Sequence, residues 1–482
     1  LRDLLLGRGS HDLDFGLPLP KGESARALTI SRQIANKLGA AYYPLDAQRG
    51  AARLVFIHND GTRDTLDFAA FRGETLEEDL RGRDFTLNAI ALDARTEEIY
   101  DPLGGAADLR IKKLRACSPT SLKDDPVRIL RAIRLAADFD FQILPETRKA
   151  MKEAAAFLDK SSVERQRDEF FKILEGRQPA TALRALEMLG VLPMLLPELS
   201  ALKGMQQSPP HVDDGWQHTL NVMRHLQSIL AALSPEYDED TAAELHHGLL
   251  VLRLGRYREK LAAHFSERLT TDRSLEGLLF FAALYHDVAK PLMAEEGEDG
   301  RIRFWGHDEE GAAMAAERAR QLHLSNDEID RLTRIIRGHM RILGMVNRML
   351  AVQGDDLERK QAEIRARSDA GLPSRRAIYR FFRDTREAGV EIVLLSLADL
   401  RGTYEHTLQE STWKTALDVS RALLAHYWEY PEKAVKPPSL LNGHEVMEAF
   451  GISPGPLVGQ LLEAIREGQA FASAVQHKVV VV

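Results

Sequence analysis

Two aspartates separated by a single apolar residue, Asp12-Leu13-Asp14, are the side chains of this sequence best placed for chemistry on a phosphate. In an extended strand side chains alternate, so Asp12 and Asp14 point one way while Leu13 and Phe15 point into a core. Carboxylates about 7 Å apart along a strand repel each other unless a cation lies between them. Their hard oxygens suit Mg²⁺, and phosphates complete its shell, so the pattern points to two Mg²⁺ ions. A third acid is expected on the same face. Arg53 to His58 and Arg63 to Phe71 read as a hairpin turning at Asn59-Asp60-Gly61. On its second arm Leu66 and Phe68 share one face, and Thr65, Asp67 and Ala69 the other. Placed in one sheet with the Asp12–Asp14 strand, Asp67 completes the acid set of a two-metal phosphoryl-transfer site. The bland alternative is a polar face on a surface strand.

Basic residues gather next. Arg110 to Arg134 contains eight, opposed only by Asp124 and Asp125, in a chain of net charge −8. Such a local excess attracts phosphates. Asp124-Asp125-Pro126-Val127-Arg128 reads as a helix start, with Asp125 as N-cap and Pro126 in the first turn. Arg128, Arg131 and Arg134 fall on one side of it, and Ile129, Leu130 and Ile133 supply the apolar side. An ion-paired surface helix is the plain reading. The chemical one starts from the edges of the bases. A carboxylate accepts from an exocyclic amine and a guanidinium donates to ring acceptors, so an Asp/Arg pair accepts C and A and rejects U and G. Upstream, Glu77 to Ala89 opens another helix, capped by Asp84 or Thr86.

A second constellation lies further on. His218 and the pair His286-Asp287 sit in apolar helical segments, the latter running into Lys290-Pro291, and His307, His339 and Asp399 follow. Histidine and aspartate on helices can converge on a divalent metal; a lone histidine on an apolar helix is more often a satisfied core residue.

The elements that position these groups follow from periodicity. Leu1 to Leu6 reads as a short helix ended by Gly7 and a Gly9-Ser10 turn, and Lys21 to Leu38 as a helix stopped by Gly39. Amphipathic helices dominate afterwards, as at Val163–Leu174 and Ala180–Leu189. Gly204 to Gly215 reads as a linker, and Arg401 to Val482 as helical. At 482 residues, 44% hydrophobic and 28% charged, the chain is an ordinary globular one of two to four domains. Its one cysteine, Cys117, excludes an internal disulfide and fits the reducing cytoplasm, and no apolar run reaches membrane-spanning length.

Together these stretches resemble the bacterial tRNA nucleotidyltransferase and poly(A) polymerase family. Leu1-Arg2-Asp3-Leu4-Leu5-Leu6-Gly7 resembles the end of its first motif, whose leading glycines would precede Leu1. Asp12 and Asp14 match its metal pair and Asp67 its third acid. Arg83-Asp84-Phe85-Thr86-Leu87-Asn88-Ala89 is similar to its R-D-F-T-I-N-A motif, and Asp101-Pro102 with Gly105 and Asp108-Leu109 to the next. Asp125-Pro126-Val127-Arg128 ends a stretch similar to its base-reading E-D-x-x-R. The resemblance implies an α+β protein: a nucleotidyltransferase head with a mixed sheet (residues 1–112), then a helical neck (113–205), an HD-type body (206–402) and a helical tail (403–482) contacting tRNA. It implies template-independent addition of CMP, AMP or both from CTP and ATP to the tRNA 3′ end. Arg2, Arg83, Asp84, Asn88, Arg131 and Arg134 would hold the nucleotide, and Asp125 and Arg128 would read its base. His218, His286, Asp287 and Asp399 would bind a second metal for phosphohydrolysis. Gly82 stands where a second arginine is usual, and only fifteen residues separate Asp67 from Arg83. Members adding all of CCA carry a longer flexible loop there, so a partial activity such as CC addition is compatible. A poly(A) polymerase, or an HD phosphohydrolase with an RNA-binding head, are the rival readings.

Overall fold

The computed structural model describes residues 1–9, 11–20, 23–58, 62–237, 244–270, 273–354, 373–437 and 439–471. Ser10, Lys21, the turn Asn59-Asp60-Gly61 and the tail past residue 471 therefore lie outside the described residues. The chain forms two compact units: Leu1–Arg177 with Ala185–Met194, and Gln178–Arg184 with Leu195–Val482.

The first unit begins with α1 (Arg2–Leu5) and a four-stranded mixed sheet ordered β1-β4-β3-β2, from β1 (Asp12–Leu17), β2 (Ala41–Asp46), β3 (Ala51–Ile57) and β4 (Arg63–Ala70). β1 runs parallel to β4, and β3 antiparallel to both β4 and β2. Helix α2 (Ser24–Leu38) covers one face. It buries Ala27, Ser31 and Ala35 at four-residue spacing and ends at Gly39, whose φ of 66° suits a residue without a Cβ. The core beneath it joins Ala35, Leu54 and Phe68, with Leu17, Ile34, Tyr42 and Leu66 packed on. Strand β2 goes beyond what the sequence pattern predicts. Pro44 argues against a strand, and it is tolerated because β2 is an edge and its register shifts between Pro44 and Asp46.

Glu77–Ala89 is not one helix. Helix α3 (Leu76–Arg81) starts on a capping box between Thr75 and Glu78 and stops at Gly82; the chain then extends through buried Phe85 into one 3₁₀ turn, Thr86–Asn88. After α4 (Gly105–Arg110) and α5 (Ser121–Asp124) comes α6, which begins at Arg128 and not at Asp125. Asp125 does not cap it: the helix start has no side-chain cap bond, and the Asp125 carboxylate is held by Arg165. Helix α6 (Arg128–Phe139) buries Ile129, Leu130, Ala132, Ile133 and Leu135. α7 (Pro145–Ala155) and α8 (Val163–Leu174) pack against it, α8 burying Phe170, Phe171, Ile173 and Leu174.

Among its described residues the second unit has helices and one two-stranded ribbon. Helix Leu275–Tyr285 is buried almost all round, as is Gly389–Tyr404, which makes them central pieces. Helices Gly215–Ala232, His307–Gln321 and Asn326–Gly338 surround them. The stretch Gly204–Gly215 is no free linker: Gly204 N–H donates to Asp214 at 2.9 Å and Gly215 N–H to the Met205 carbonyl at 3.1 Å. No described helix is long and apolar enough to cross a membrane.

Candidate active site and histidine–aspartate cluster

The acid face is set by strand register. Asp12 lies opposite Thr65, Leu13 opposite Leu66, Asp14 opposite Asp67 and Phe15 opposite Phe68. Paired residues of parallel strands project to the same side, so Asp12, Asp14 and Asp67 share one face. The other face holds Leu13, Leu66 and the stacked rings of Phe15 and Phe68, 4.9 Å apart. Arg53, opposite Asp67 on β3, grips its carboxylate with two bonds of 2.8 and 2.7 Å. That bond, and the fields of Asp67, Asp12 and Asp14, raise the Arg53 pKa against burial. The face thus carries its own counter-cation. All three donors are carboxylate oxygens on a half-open surface, a set that fits Mg²⁺. Among the described residues the three do not bring ligand oxygens all within 4.8 Å of one another.

The residues expected to hold the nucleotide form a relay. Arg2 donates to Asn88 Oδ1 at 3.1 Å, Asn88 Nδ2 to Asp84 Oδ1 at 3.1 Å, and Arg131 meets Asp84 Oδ2 at 2.5 Å. Glu169 of α8 then takes Arg131 at 3.7 Å, Arg134 at 3.0 Å and Lys172 at 3.2 Å. Burial pushes the Asp84 carboxyl up, but Arg131, Asn88 and the Phe85 N–H hold it below its ordinary value. Glu169 is likewise buried and likewise held low, by Arg134, Lys172 and Arg131. Arg83 is bound to buried Asp79 at 3.2 Å. Arg2 and Arg8 both lie over the Phe139 ring, at 4.9 and 4.6 Å.

Asp125 and Arg128, expected to read the base, are differently arranged from that expectation. Arg128 spends its terminal nitrogens on the carbonyls of Gly82, Arg83 and Ser121 and on the Ser121 hydroxyl, and its Nε is 3.7 Å from Asp125. Asp125 is held instead by Arg165 at 2.7 Å, leaving its buried Oδ1 without a partner. So the pair is adjacent, with Arg128 engaged mainly by backbone carbonyls and the Ser121 hydroxyl.

In the second unit, His218, His286 and Asp287 converge, all buried, and so do Asp287, His307 and His339. His218 and His286 face Asp287 Oδ2 at 3.4 and 3.2 Å, while His307 and His339 face Oδ1 at 3.5 and 3.8 Å. Asp399 closes the set, 3.1 Å from His218. The ring orientations are fixed from behind: Nδ1 of His286, His307 and His339 lies 2.7, 2.7 and 2.6 Å from the carbonyls of Ala283, Phe304 and Ile336. This leaves each Nε2 turned inward, the arrangement that suits imidazole ligands. Burial lowers the His218 pKa, but bonds to Asp287 and Asp399 outweigh it and raise it to about 9; burial and the neighbouring histidines push His339 down to about 4. Lys290 also reaches Asp287, at 2.6 Å.

Comparison with known proteins matches three stretches of the chain. Residues 1–115 match the poly A polymerase head domain, 140–203 the probable RNA and SrmB-binding site of polymerase A, and 215–399 the HD domain. An A-adding tRNA nucleotidyltransferase of Deinococcus radiodurans is 31% identical over 98% of this chain and 90% of its own. The chain belongs to the tRNA nucleotidyltransferases. A CC-adding relative from Thermus thermophilus is also 31% identical, over 98% of this chain and 88% of its own. Among solved structures, the apo form of a CCA-adding enzyme shares the fold with a TM-score of 0.55 at 19% identity, covering 98% of this chain and 85% of that one.

In this tRNA nucleotidyltransferase, sequence reasoning passes over Glu169 and Arg165, whose partners lie 35 to 40 residues away in the chain. It also passes over Arg72, which donates to the Gly82 carbonyl at 2.6 Å beside Arg83 and Arg128. His307 and His339 are legible as histidines following on helical segments, though not as members of one cluster with Asp287.

Proposed function

We propose that the acid face and the arginine relay add CMP or AMP to the 3′ end of tRNA. Supporting this, relatives carry the names A-adding and CC-adding tRNA nucleotidyltransferase, and proteins of the same fold include a CCA-adding enzyme with CTP and the Thermotoga maritima enzyme with tRNA. The observation that carries the reading is the register that puts Asp67 opposite Asp14. Asp67 orients the terminal hydroxyl and takes up its proton as the oxygen attacks the α-phosphorus in line; the bond to the bridging oxygen breaks and pyrophosphate leaves. Arg2, Arg83, Arg131 and Arg134, with Asp84 and Asn88 fixing them, hold sugar and phosphates, and Asp125 and Arg128 select the base. Asp12 and Asp14 would hold Mg²⁺, which neutralises charge developing on the phosphates. We divide the chain as head 1–112, neck 113–205, HD body 206–402 and tail 403–482.

Addition of part of CCA is favoured. The span between Asp67 and Arg83 is wholly taken up by the end of β4, a short turn and the capped helix α3, with no long loop. Offering tRNAs ending before, within and just short of the full terminus, with one labelled triphosphate at a time, tests this. Incorporation of CTP only, or of ATP only onto a CC end, is expected; full CCA synthesis would overturn the partial activity, and repeated ATP addition would support a poly(A) polymerase.

A second activity is favoured by one observation, the inward Nε2 atoms around both oxygens of Asp287. His218, His286, Asp287 and Asp399 would hold a divalent metal for phosphate-ester hydrolysis, with His307 and His339 completing the set. Hydrolysis of p-nitrophenyl phosphate that survives Asp14→Ala but not Asp287→Ala is the expected result.

A further inference from the structure

The buried histidine–aspartate cluster has two sides, and each poses the same electrostatic difficulty. Nδ1 of His286, His307 and His339 lies against the carbonyls of Ala283, Phe304 and Ile336. A carbonyl only accepts, so in the neutral ring each Nδ1 carries the proton and each Nε2 presents a lone pair. His307 Nε2 and His339 Nε2 nevertheless lie 3.3 Å apart, and both face Asp287 Oδ1, at 3.5 and 3.8 Å. On the other side His286 Nε2 lies 3.2 Å from Asp287 Oδ2, 3.8 Å from Asp399 Oδ1 and 3.3 Å from His218 Nε2. Buried acceptors that point at one another with no hydrogen between them are unfavourable.

Histidines that only fill a core would not be arranged this way. Separate elements of the second unit bring them together: Gly215–Ala232 carries His218, Gly389–Tyr404 carries Asp399, His307 opens His307–Gln321, and His286 and His339 stand directly after Leu275–Tyr285 and Asn326–Gly338. A proton shared within one ring pair relieves that pair only and leaves a charged ring in the interior. A divalent cation on each side relieves both, and every ring stays neutral. Imidazole nitrogen beside carboxylate oxygen suits first-row ions such as Mn²⁺, Fe²⁺, Ni²⁺ or Zn²⁺. Lys290 Nζ, 2.6 Å from Asp287 Oδ2, leaves room for an ion there, because a carboxylate oxygen carries two lone pairs.

We propose that this cluster is a two-metal centre bridged by Asp287: His218, His286, Asp399 and Asp287 Oδ2 take one ion, and His307, His339 and Asp287 Oδ1 take the other. It rests on the reading that the cluster binds metal, and it makes His307 and His339 the ligands of an ion of their own. The two sets are unequal. The first has a carboxylate to itself besides the shared one, whereas the second has the shared one alone, so its ion is held more weakly and keeps more positions open. Two ions on either side of one carboxylate can clamp both the attacking and the leaving oxygen of a phosphate ester.

The test uses the full chain with Asp12→Ala and Asp14→Ala, so that the carboxylates of the head do not add to the count. After treatment with a chelator and dialysis it is titrated with Mn²⁺ alone, and bound ion is followed by elemental analysis and by electron paramagnetic resonance. Two Mn²⁺ per chain are expected, the second bound more weakly, with the spectrum of an exchange-coupled pair. Adding His307→Gln, which keeps the bulk of the side chain, should reduce the count to one and replace the coupled signal by that of an isolated ion. Circular dichroism shows whether that variant folds; if it does not, the count and the coupling in its parent decide. One Mn²⁺ per chain with an uncoupled signal overturns the two-metal centre and leaves a single-metal phosphohydrolase standing. No bound Mn²⁺ removes both. Two uncoupled ions that survive His307→Gln also overturn the proposal, since the second then lies elsewhere.

Discussion

Replacing Glu169 by glutamine removes the negative centre that orders the arginine relay while keeping its shape. The Glu169 side chain is only 10% exposed and Arg134, its partner at 3.0 Å, only 16%. Taking one charge from so buried a pair costs about 3–5 kcal/mol. Glutamine keeps one acceptor oxygen for the Arg134 Nε–H, recovering about 1–2 kcal/mol. Arg131 is 38% exposed and Lys172 54%, so water screens most of their share. The net expectation is about 2 kcal/mol. For a unit of this size that corresponds to a fall of about 4–8 °C in the thermal transition of the N-terminal unit. Function should suffer in the same variant, because Arg131 and Arg134 lose the group that aims them: a tenfold rise in triphosphate KM would be a further loss of about 1.4 kcal/mol. Differential scanning calorimetry and initial-rate assays measure both. A transition within 1 °C of wild type together with an unchanged KM would refute the claim that Glu169 organises this site.

Other expectations follow from the same interactions. Asp84 has its pKa held below the ordinary 3.8, so its stabilising charge is fully present above that value and is lost as pH falls through the lower one; urea titrations from pH 3 to 7 should show this acid loss shrinking in Asp84→Asn, which is also weaker at neutral pH. Arg128→Ala strips four hydrogen bonds to Gly82, Arg83 and Ser121 and should raise UTP misincorporation while lowering stability by about 2 kcal/mol; unchanged fidelity in a labelled-UTP assay would confine Arg128 to that structural bond. His218→Ala should lose divalent metal from the second unit, measured by elemental analysis after gel filtration, with nucleotide addition retained.

Much of the fold is written locally and is therefore legible. Alternation around Asp12 and Asp14, the arm carrying Leu66, Asp67 and Phe68, and the helix closed by Gly39 each follow from a few adjacent residues, although Leu13 and Phe15, expected in a core, stay 43% and 38% exposed. The Asp14–Asp67 pairing is inferable because two polar faces have to share one sheet above one core. What escapes is long-range. Strand β2 hides behind Pro44, and only its edge position makes that residue acceptable. Glu169 looks like any acid on an amphipathic helix until α8 is laid beside α6. Asp125 has the composition of an N-cap, yet Arg165, forty residues on, supplies a stronger partner than the helix start. The inward histidines depend on carbonyls at Ala283, Phe304 and Ile336, which no side-chain pattern announces.

The most direct trial is to substitute Asp14 by alanine and follow pyrophosphate release with tRNA and the accepted triphosphate, with tRNA binding measured in parallel. Release should fall at least about a thousandfold while tRNA affinity stays within twofold, as expected when a group acting on the transferred phosphate is removed. Release within tenfold of wild type would contradict a reaction centred on the aspartates of β1 and β4.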